Sequence, residues 1–394
     1  MTRPPFEVAD IIRQFEQSFV EQNRSWLTWQ HLRVLHALEH CRTADLGGHL
    51  DRCADCGYRA ISFNSCGNRH GPTCLTGARE AWLAKRQTEL LPCAYSHVVF
   101  TVPHELSWLA LQNKQVVYDL LFRTSAATLR EVAANPKHLG AAIGVLSVLH
   151  TWSQTLMNHP HVHCVVPAGG LSPDGTHWVH SRSRFFLPVK VLRRVFRGKF
   201  IAGLKRAFRK GELSFPGRLH YLADPHAFHA FLRPLFRHDW VVYAKRPFGG
   251  PEHVLQYLAR YTHRVAISNH RIVDVADRHV TFRWKDYAHG SAQRTMTVSG
   301  EEFLRRFLLH VLPRGFVRIR FFGFLSNRHR AQLLPRCQQV LGDSPPSPRP
   351  EPATERLASW VCPHCGGAMH MIERLTADEV RRRVAAGHDV VDTS

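Results

Sequence analysis

Three histidines at alternate positions, His159, His161 and His163 in the run HPHVHCVVPAGG, are the residues of this chain best placed to do chemistry. Successive side chains of an extended strand alternate faces, so all three imidazoles would project to one side, and three imidazoles on one face suggest a metal site. In PEHVLQYLARYTHRVAISN, residues 251 to 269, Tyr257 and Tyr261 lie four apart and are neighbours on one face of a helix. An isolated pair of this kind usually covers a core with its hydroxyls outward. The histidine strand changes that reading, because a histidine-bound cation can neutralise a phosphate, polarise its oxygen and let a phenol act as nucleophile.

The cysteines form a second chemical group. Cys53 and Cys56 stand in a CxxC knuckle, and SCGNRHGPTC supplies Cys66, His70 and Cys74 about one zinc-finger loop later. Five candidates therefore compete for four places around a zinc ion, with Cys53, Cys56 and Cys74 favoured and Cys66 or His70 completing the shell. A second CxxC, Cys362 and Cys365 in WVCPHCGGAMH, is by itself a half-site, with His370 and Cys337 as candidate partners.

Composition narrows the partner. The 394 residues carry 52 Lys and Arg against 31 acidic residues, a formal net charge of +21, which favours a polyanion and above all a nucleic acid. A small-molecule metallohydrolase has no need of so large a field. No apolar run of about 18 residues occurs, and the opening MTRPPFEVADIIRQF lacks the apolar centre of a signal peptide, so the expectation is a cytoplasmic, nucleoid-associated protein with no membrane partner. Closely spaced cysteines in such a compartment read as metal ligands rather than disulfides.

Stepping outward from these residues, the elements that must hold them can be read from periodicity. Ile11, Ile12, Phe15 and Phe19, then Leu32, Leu35 and Leu38, recur at helical spacing. Short β-branched runs at 97–103, 141–150, 161–167 and 239–245, with helical patterns between them, predict an α+β sheet domain. Residues 190–212 set Val195, Phe196, Ile201, Leu204 and Phe208 among many Arg and Lys, as in a basic amphipathic helix, whose basic face is as readily a solvated surface as a binding one. In 305–324, Arg318 and Arg320 alternate with Ile319 and Phe321, a pattern suited to stacking bases and following phosphates and equally to a core strand with a basic edge. SPPSPRPEPA, residues 344–353, is a semi-rigid linker with five prolines in ten positions.

Taken together, His161-Val162-His163, Tyr257 and Tyr261 in YLARYTHRVAIS, the Cys-rich amino region, and the runs HTWSQTL, VVYAKRPFGGPE and HVLPRGFVRIR give a chain that resembles the two-tyrosine HUH transposases of bacterial rolling-circle insertion sequences. The resemblance covers most of the sequence. It implies an HUH-endonuclease-like antiparallel sheet with flanking helices, preceded by a helical and zinc-binding domain and followed by a small CxxC module. The expected boundaries are 1–92 for DNA recognition, 93–343 for catalysis with a basic helical insertion near 188–235, 344–356 for the linker and 357–394 for the terminal module.

The resemblance also implies an activity: Tyr257 and Tyr261 as nucleophiles that nick and rejoin single-stranded or hairpin DNA through 5′-phosphotyrosine links. His161 and His163 become ligands of magnesium or manganese, with His159, Gln256 or His263 as the third. Arg260, Arg264, Arg318 and Arg320 are expected on DNA. No nucleotide cofactor is expected, and no GxxxxGK[ST] loop occurs. Relatives usually read His-Cys-Pro-x-Cys where this chain has HGPTC, so Gly71 stands at an expected ligand position. The alternatives are a replication initiator or relaxase-type nickase, and a zinc-dependent DNA-binding protein without chemistry.

Overall fold

A computed structural model describes residues 4–74, 76–181, 186–245, 253–254, 265–287, 289–342 and 360–391. The chain divides into two compact units, one of residues 1–78, 265–311 and 348–394, the other of residues 79–264 and 312–347. The described strands of the amino-terminal half are β1 (Gly48–Cys53), β2 (Arg59–Phe63), β3 (Tyr95–Thr101), β4 (Gly144–Trp152), β5 (Asn158–Pro167), β6 (Gly169–Leu171) and β7 (Trp178–His180). Those that follow are β8 (Val242–Ala244), β9 (Ile272–Ala276), β10 (His279–Asp286), β11 (Ala292–Ser299), β12 (Ile319–Gly323), β13 (Met369–Leu375) and β14 (Val390–Val391). The fold is α+β, as the sequence predicts.

The second unit is built on a five-stranded sheet in the order β12-β4-β5-β3-β8, each neighbouring pair antiparallel. Strict alternation gives this sheet two different faces. Val98, Phe100, Val145, Leu149, Val162, Cys164 and Val166 point to one side, where they join the core formed with the helices Lys114–Ala134 and Val189–Arg209. The basic helix buries Leu192, Phe196, Phe200, Ile201, Leu204 and Ala207 along a helical stripe, and leaves Lys190, Arg194, Arg206, Arg209 and Lys210 exposed. Gly203 lets it approach the preceding helix closely, since a Cβ there would run into Leu120. On the other side of the sheet, Tyr95, Leu146, Val148 and Val165 form a smaller cluster.

In the first unit, β11-β10-β9 form an antiparallel sheet, and the helices Val8–Asn23 and Gly300–Leu308 pack together at Phe15 and Gly300, where a Cβ would collide with the phenyl ring. A second sheet runs β13-β1-β2-β14. Here the structure redraws the expected domain boundaries. The carboxyl-terminal segment is not a separate module: β13 pairs with β1 from Gly48↔Leu375 to Cys53↔Met369, β14 runs parallel to β2, and the Trp360 indole donates to the buried Asp51 carboxylate. Residues 265–311, expected in the catalytic domain, also belong to this unit. The physical reason is that β1 and β2 alone make a hairpin, which needs a third strand to become stable.

Candidate active site and metal centres

The register of β4 against β5 places His150 directly opposite His161, and Val148 opposite His163. His150, His161 and His163 therefore meet on the sheet face away from the helical core, with one ring nitrogen from each within 4.8 Å of the others. His150 was not among the residues predicted for this cluster, although it closes the β-branched run 141–150 and its parity on β4 is that of Val148. His159, by contrast, is exposed and outside the trio. Between the pairs His150↔His161 and Trp152↔Asn158, β5 has one residue more than β4, and this bulge at His159–Pro160 breaks the two-residue period.

Hydrogen bonds fix how the rings are presented. His161 Nδ1 lies 2.7 Å from the His159 carbonyl oxygen and so acts as its donor, which puts the lone pair of the neutral ring on Nε2. His163 Nδ1 lies 2.9 Å from Nε2 of His97, whose ring stacks parallel to it at 5.1 Å. With the proton on His163 Nδ1, Nε2 again carries the lone pair; partners of this kind set the tautomer of metal-binding histidines. His97 sits on β3 and is buried, and burial, with the charge of Lys245, pushes its pKa down to about 3, so it is a neutral partner throughout the physiological range. His150 stacks on Trp152 at 4.7 Å. Among the described residues, these three imidazoles are placed to hold a divalent cation.

Val254, fully buried, packs among Tyr95, Leu146, Val148 and Val165, on the same face of the sheet as His161 and His163. Tyr257 and Tyr261, with Gln256, Arg260, His263 and Arg264, lie outside the described residues. Arg320 is engaged within its own unit: it pairs with Asp119, donates through Nε to the Val317 carbonyl at 3.0 Å, and lies over Phe122 and Phe316. Arg318 is part-buried beside β12, where its carbonyl accepts from the Leu149 N–H.

The cysteines regroup. Cys53 and Cys56 meet Cys362 and Cys365, not Cys66, His70 and Cys74, with Sγ–Sγ distances of 3.4 Å for Cys53–Cys365 and 3.6 Å for Cys56–Cys362. A tetrahedral zinc thiolate site with bonds of about 2.3 Å sets its sulfurs about 3.8 Å apart, so the four fit zinc closely. The two knuckles repeat one design: each CxxC is followed by a glycine, Gly57 or Gly366, at φ 73° or 76°, with open space where a Cβ would go. Here it is the left-handed backbone that requires glycine, not crowding. Backbone N–H groups, first that of Cys56 and then that of Asp55, hold the Cys53 thiol down at about 7, towards the thiolate that a metal needs.

Cys66 and Cys74 cluster instead with Cys41, at Sγ–Sγ distances of 3.4 Å for Cys66–Cys74 and 3.0 Å for Cys41–Cys74. Hydrogen bonds from Cys41 and then Cys66 hold the Cys74 thiol down, and those with Cys41 and then Cys74 push Cys66 up. His70 lies outside both groups of sulfurs. Cys337 is buried among Leu91, Trp178 and Phe324 in the other unit, and burial pushes its thiol up to about 12: it is a core residue and no partner for Cys362. His370 pairs with Arg52 across β13 and β1.

A family described as "Putative transposase" matches residues 144–332, the stretch that carries all three clustered histidines, and one described as "Transposase zinc-binding domain" matches residues 11–102. A "Putative transposase y4qJ" of Sinorhizobium fredii is 56% identical over 348 residues, 88% of this chain and 87% of that protein. The chain belongs to this transposase family. The transposase of insertion sequence element IS801 from Pseudomonas savastanoi pv. phaseolicola is 29% identical over 79% of this chain and 74% of its own length. A conjugative relaxase bound to DNA, solved in a metal-bound form, aligns over 41% of this chain and 69% of its own at 15% identity and a TM-score of 0.23, too distant to bear on the site. The transposase thus pairs a zinc-binding region with an α+β sheet, and no described helix is long and apolar enough to cross a membrane.

Proposed function

We propose that this transposase nicks and rejoins single-stranded DNA at the ends of an insertion sequence, with Tyr257 and Tyr261 as nucleophiles and His150, His161 and His163 as ligands of magnesium or manganese. The observation that carries the reading is the histidine trio, its rings aligned by the His159 carbonyl and by His97, on the sheet face where Val254 docks. Tyr257 follows Val254 by three residues in the sequence, which supports its reach to that face.

The cation, when bound, offsets the charge of the scissile phosphate. One tyrosine Oη attacks phosphorus, forming the P–Oη bond and breaking the bond to the 3′ oxygen. The phenolic proton passes to solvent and the departing 3′ oxygen takes one up as hydroxyl. The bond energy stays in the 5′-phosphotyrosine, so a 3′ hydroxyl can reverse the step on a new strand and no nucleotide is consumed. The second tyrosine serves the second cleavage. Cys53, Cys56, Cys362 and Cys365 hold a structural zinc. The exposed cations of the basic helix, Lys190, Arg194, Arg206, Arg209 and Lys210, follow phosphates, as do Arg260 and Arg264 beside the tyrosines.

Covalent trapping tests this reading. Purified protein is mixed with labelled single-stranded or duplex element ends, with magnesium, manganese or chelator, beside Tyr257→Phe, Tyr261→Phe and the double variant. A protein–DNA adduct that requires metal and single strands and disappears in the double variant is expected. DNA binding without adduct under any condition overturns it in favour of a non-catalytic zinc-dependent DNA-binding protein.

A further inference from the structure

The second sulfur cluster differs from the first in one respect that chemistry makes important. Cys41, Cys66 and Cys74 place three sulfurs within bonding distance of a common centre, and among the described residues no fourth histidine, cysteine or carboxylate donor joins them. A thiophilic divalent ion such as zinc takes four ligands, and sites closed by four protein groups hold their metal structurally whereas sites with three leave a position to water.

Gly71 borders this cluster. At Gly71, the Cβ that another residue would carry falls 3.3 Å from Cys74 Sγ, 3.3 Å from the Asn68 carbonyl oxygen and 2.9 Å from Leu38 Cδ2. A side chain at position 71 would thus start against Cys74 Sγ at the edge of the cluster, with Leu38 crowding it. Gly71, Cys41 and Cys74 line a small cavity with about 20 Å³ of room for the centre of a water molecule, whose lining also includes Glu7, Arg42 and Asn269. One water needs roughly 10–15 Å³ by the same measure. The positive charge of Arg42 acts on Cys74 and offsets part of the negative charge that three thiolates accumulate.

We propose that Cys41, Cys66 and Cys74 form a second, open metal site that binds zinc through three thiolates, with water as the fourth ligand beside Gly71, and that this ion exchanges much faster than the one between the two CxxC knuckles. Binding releases up to three thiol protons to solvent and changes no oxidation state. The proposal rests on the zinc-binding character of this region and is independent of the tyrosine chemistry.

The test uses the full-length protein loaded with zinc and then exposed to an excess of a colorimetric chelator. Two zinc ions per chain are expected, released in a fast and a slow phase of equal amplitude. Cys41→Ser removes the fast phase and keeps the slow one, and Cys362→Ser does the reverse. Gly71→Cys retains both ions and slows the fast phase about tenfold or more, the scale on which even an outer partner of a metal ligand contributes. Leu38→Ala combined with Gly71→Cys relieves the one close contact if the single variant folds poorly. Cobalt in place of zinc gives a readout independent of rate, because the absorption of the fast site shifts towards that of the four-sulfur site in Gly71→Cys. One zinc per chain, a single slow phase, survival of the fast phase in Cys41→Ser, or a release rate and cobalt spectrum unmoved by Gly71→Cys each overturns the proposal. Tyr257→Phe should keep both phases, so a failed catalytic reading leaves this outcome untouched.

Discussion

The histidine cluster and the four-cysteine cluster solve the same problem, converging several ligands on one point, by opposite routes. His150, His161 and His163 lie on two adjacent antiparallel strands, so that sheet register alone brings them together. Cys56 and Cys362 are 306 residues apart, and their meeting requires β13 to cross back onto β1. In the first case the fold makes the site; in the second, a metal held by the four thiols would help to make the fold. The sheet has a deep apolar core of its own beneath the imidazoles, whereas the sheet beside the knuckles buries little more than Leu50, Ile61, Leu375 and Val380.

The sharpest way to break this comparison is Cys362→Ser. Structural zinc contributes on the order of 10 kcal/mol in small domains, so its loss should strip hydrogen-exchange protection from β1, β2 and β13 while β3, β4 and β5 keep theirs. Equal loss in both sheets would erase the distinction. The complementary change is His163→Ala. Strand cleavage should fall at least about 100-fold, corresponding to roughly 3 kcal/mol of transition-state stabilisation, with the zinc content unchanged. A comparable fall in melting temperature would show that the imidazoles hold the sheet as well as the cation.

His97 sharpens the comparison further, since it touches His163 and stands outside the trio. His97→Ala should weaken magnesium or manganese binding about 10- to 100-fold in a titration of cleavage, with partial recovery in His97→Gln and unchanged DNA affinity. The same residue predicts a pH effect in chelator-treated protein. Burial lowers the folded pKa to about 3, below the ordinary 6.5, so between these values the unfolded chain binds more protons. Stability should therefore drop as pH falls from about 6.5 towards 3, with up to about 1.4 kcal/mol per pH unit from this residue, and the slope should be shallower in His97→Gln. The smallest effect belongs to Arg320→Gln: about 1 kcal/mol of stability from its ion pair and ring contacts, with no change in the salt dependence of DNA binding. Arg194→Gln on the basic helix should do the opposite, leaving stability alone and reducing the salt slope by about one.

These contrasts also explain what could be read from sequence. Alternation placed His161 and His163 on one face because a strand's period is local, and the basic helix was readable because its stripe repeats every three or four residues. The same alternation misled at His159, where a bulge that no composition signals shifts the phase. His150 escaped notice because its role depends on which residue of β5 it opposes. Sequence proximity grouped Cys53 and Cys56 with Cys66, His70 and Cys74; the decisive fact is the β1–β13 pairing, which spans nearly the whole chain. Cys41 gave no signal of its own, lacking a CxxC spacing. Arg320 shows the remaining difficulty: an arginine among aromatics suits nucleic acid and suits an internal ion pair, and only the position of Asp119 separates the two.

The distance between the knuckles has a consequence for the timing of synthesis. At about 5–20 residues per second, the 306 residues from Cys56 to Cys362 take roughly 15 to 60 seconds to make. Throughout that interval the nascent chain has only one of the two CxxC knuckles, while all five strands of the histidine sheet are made before the second knuckle appears. A product cut short before residue 362 never acquires the other half. The unit tied by the four cysteines is thereby made to wait for the last part of the message, so broken or unfinished copies cannot assemble it.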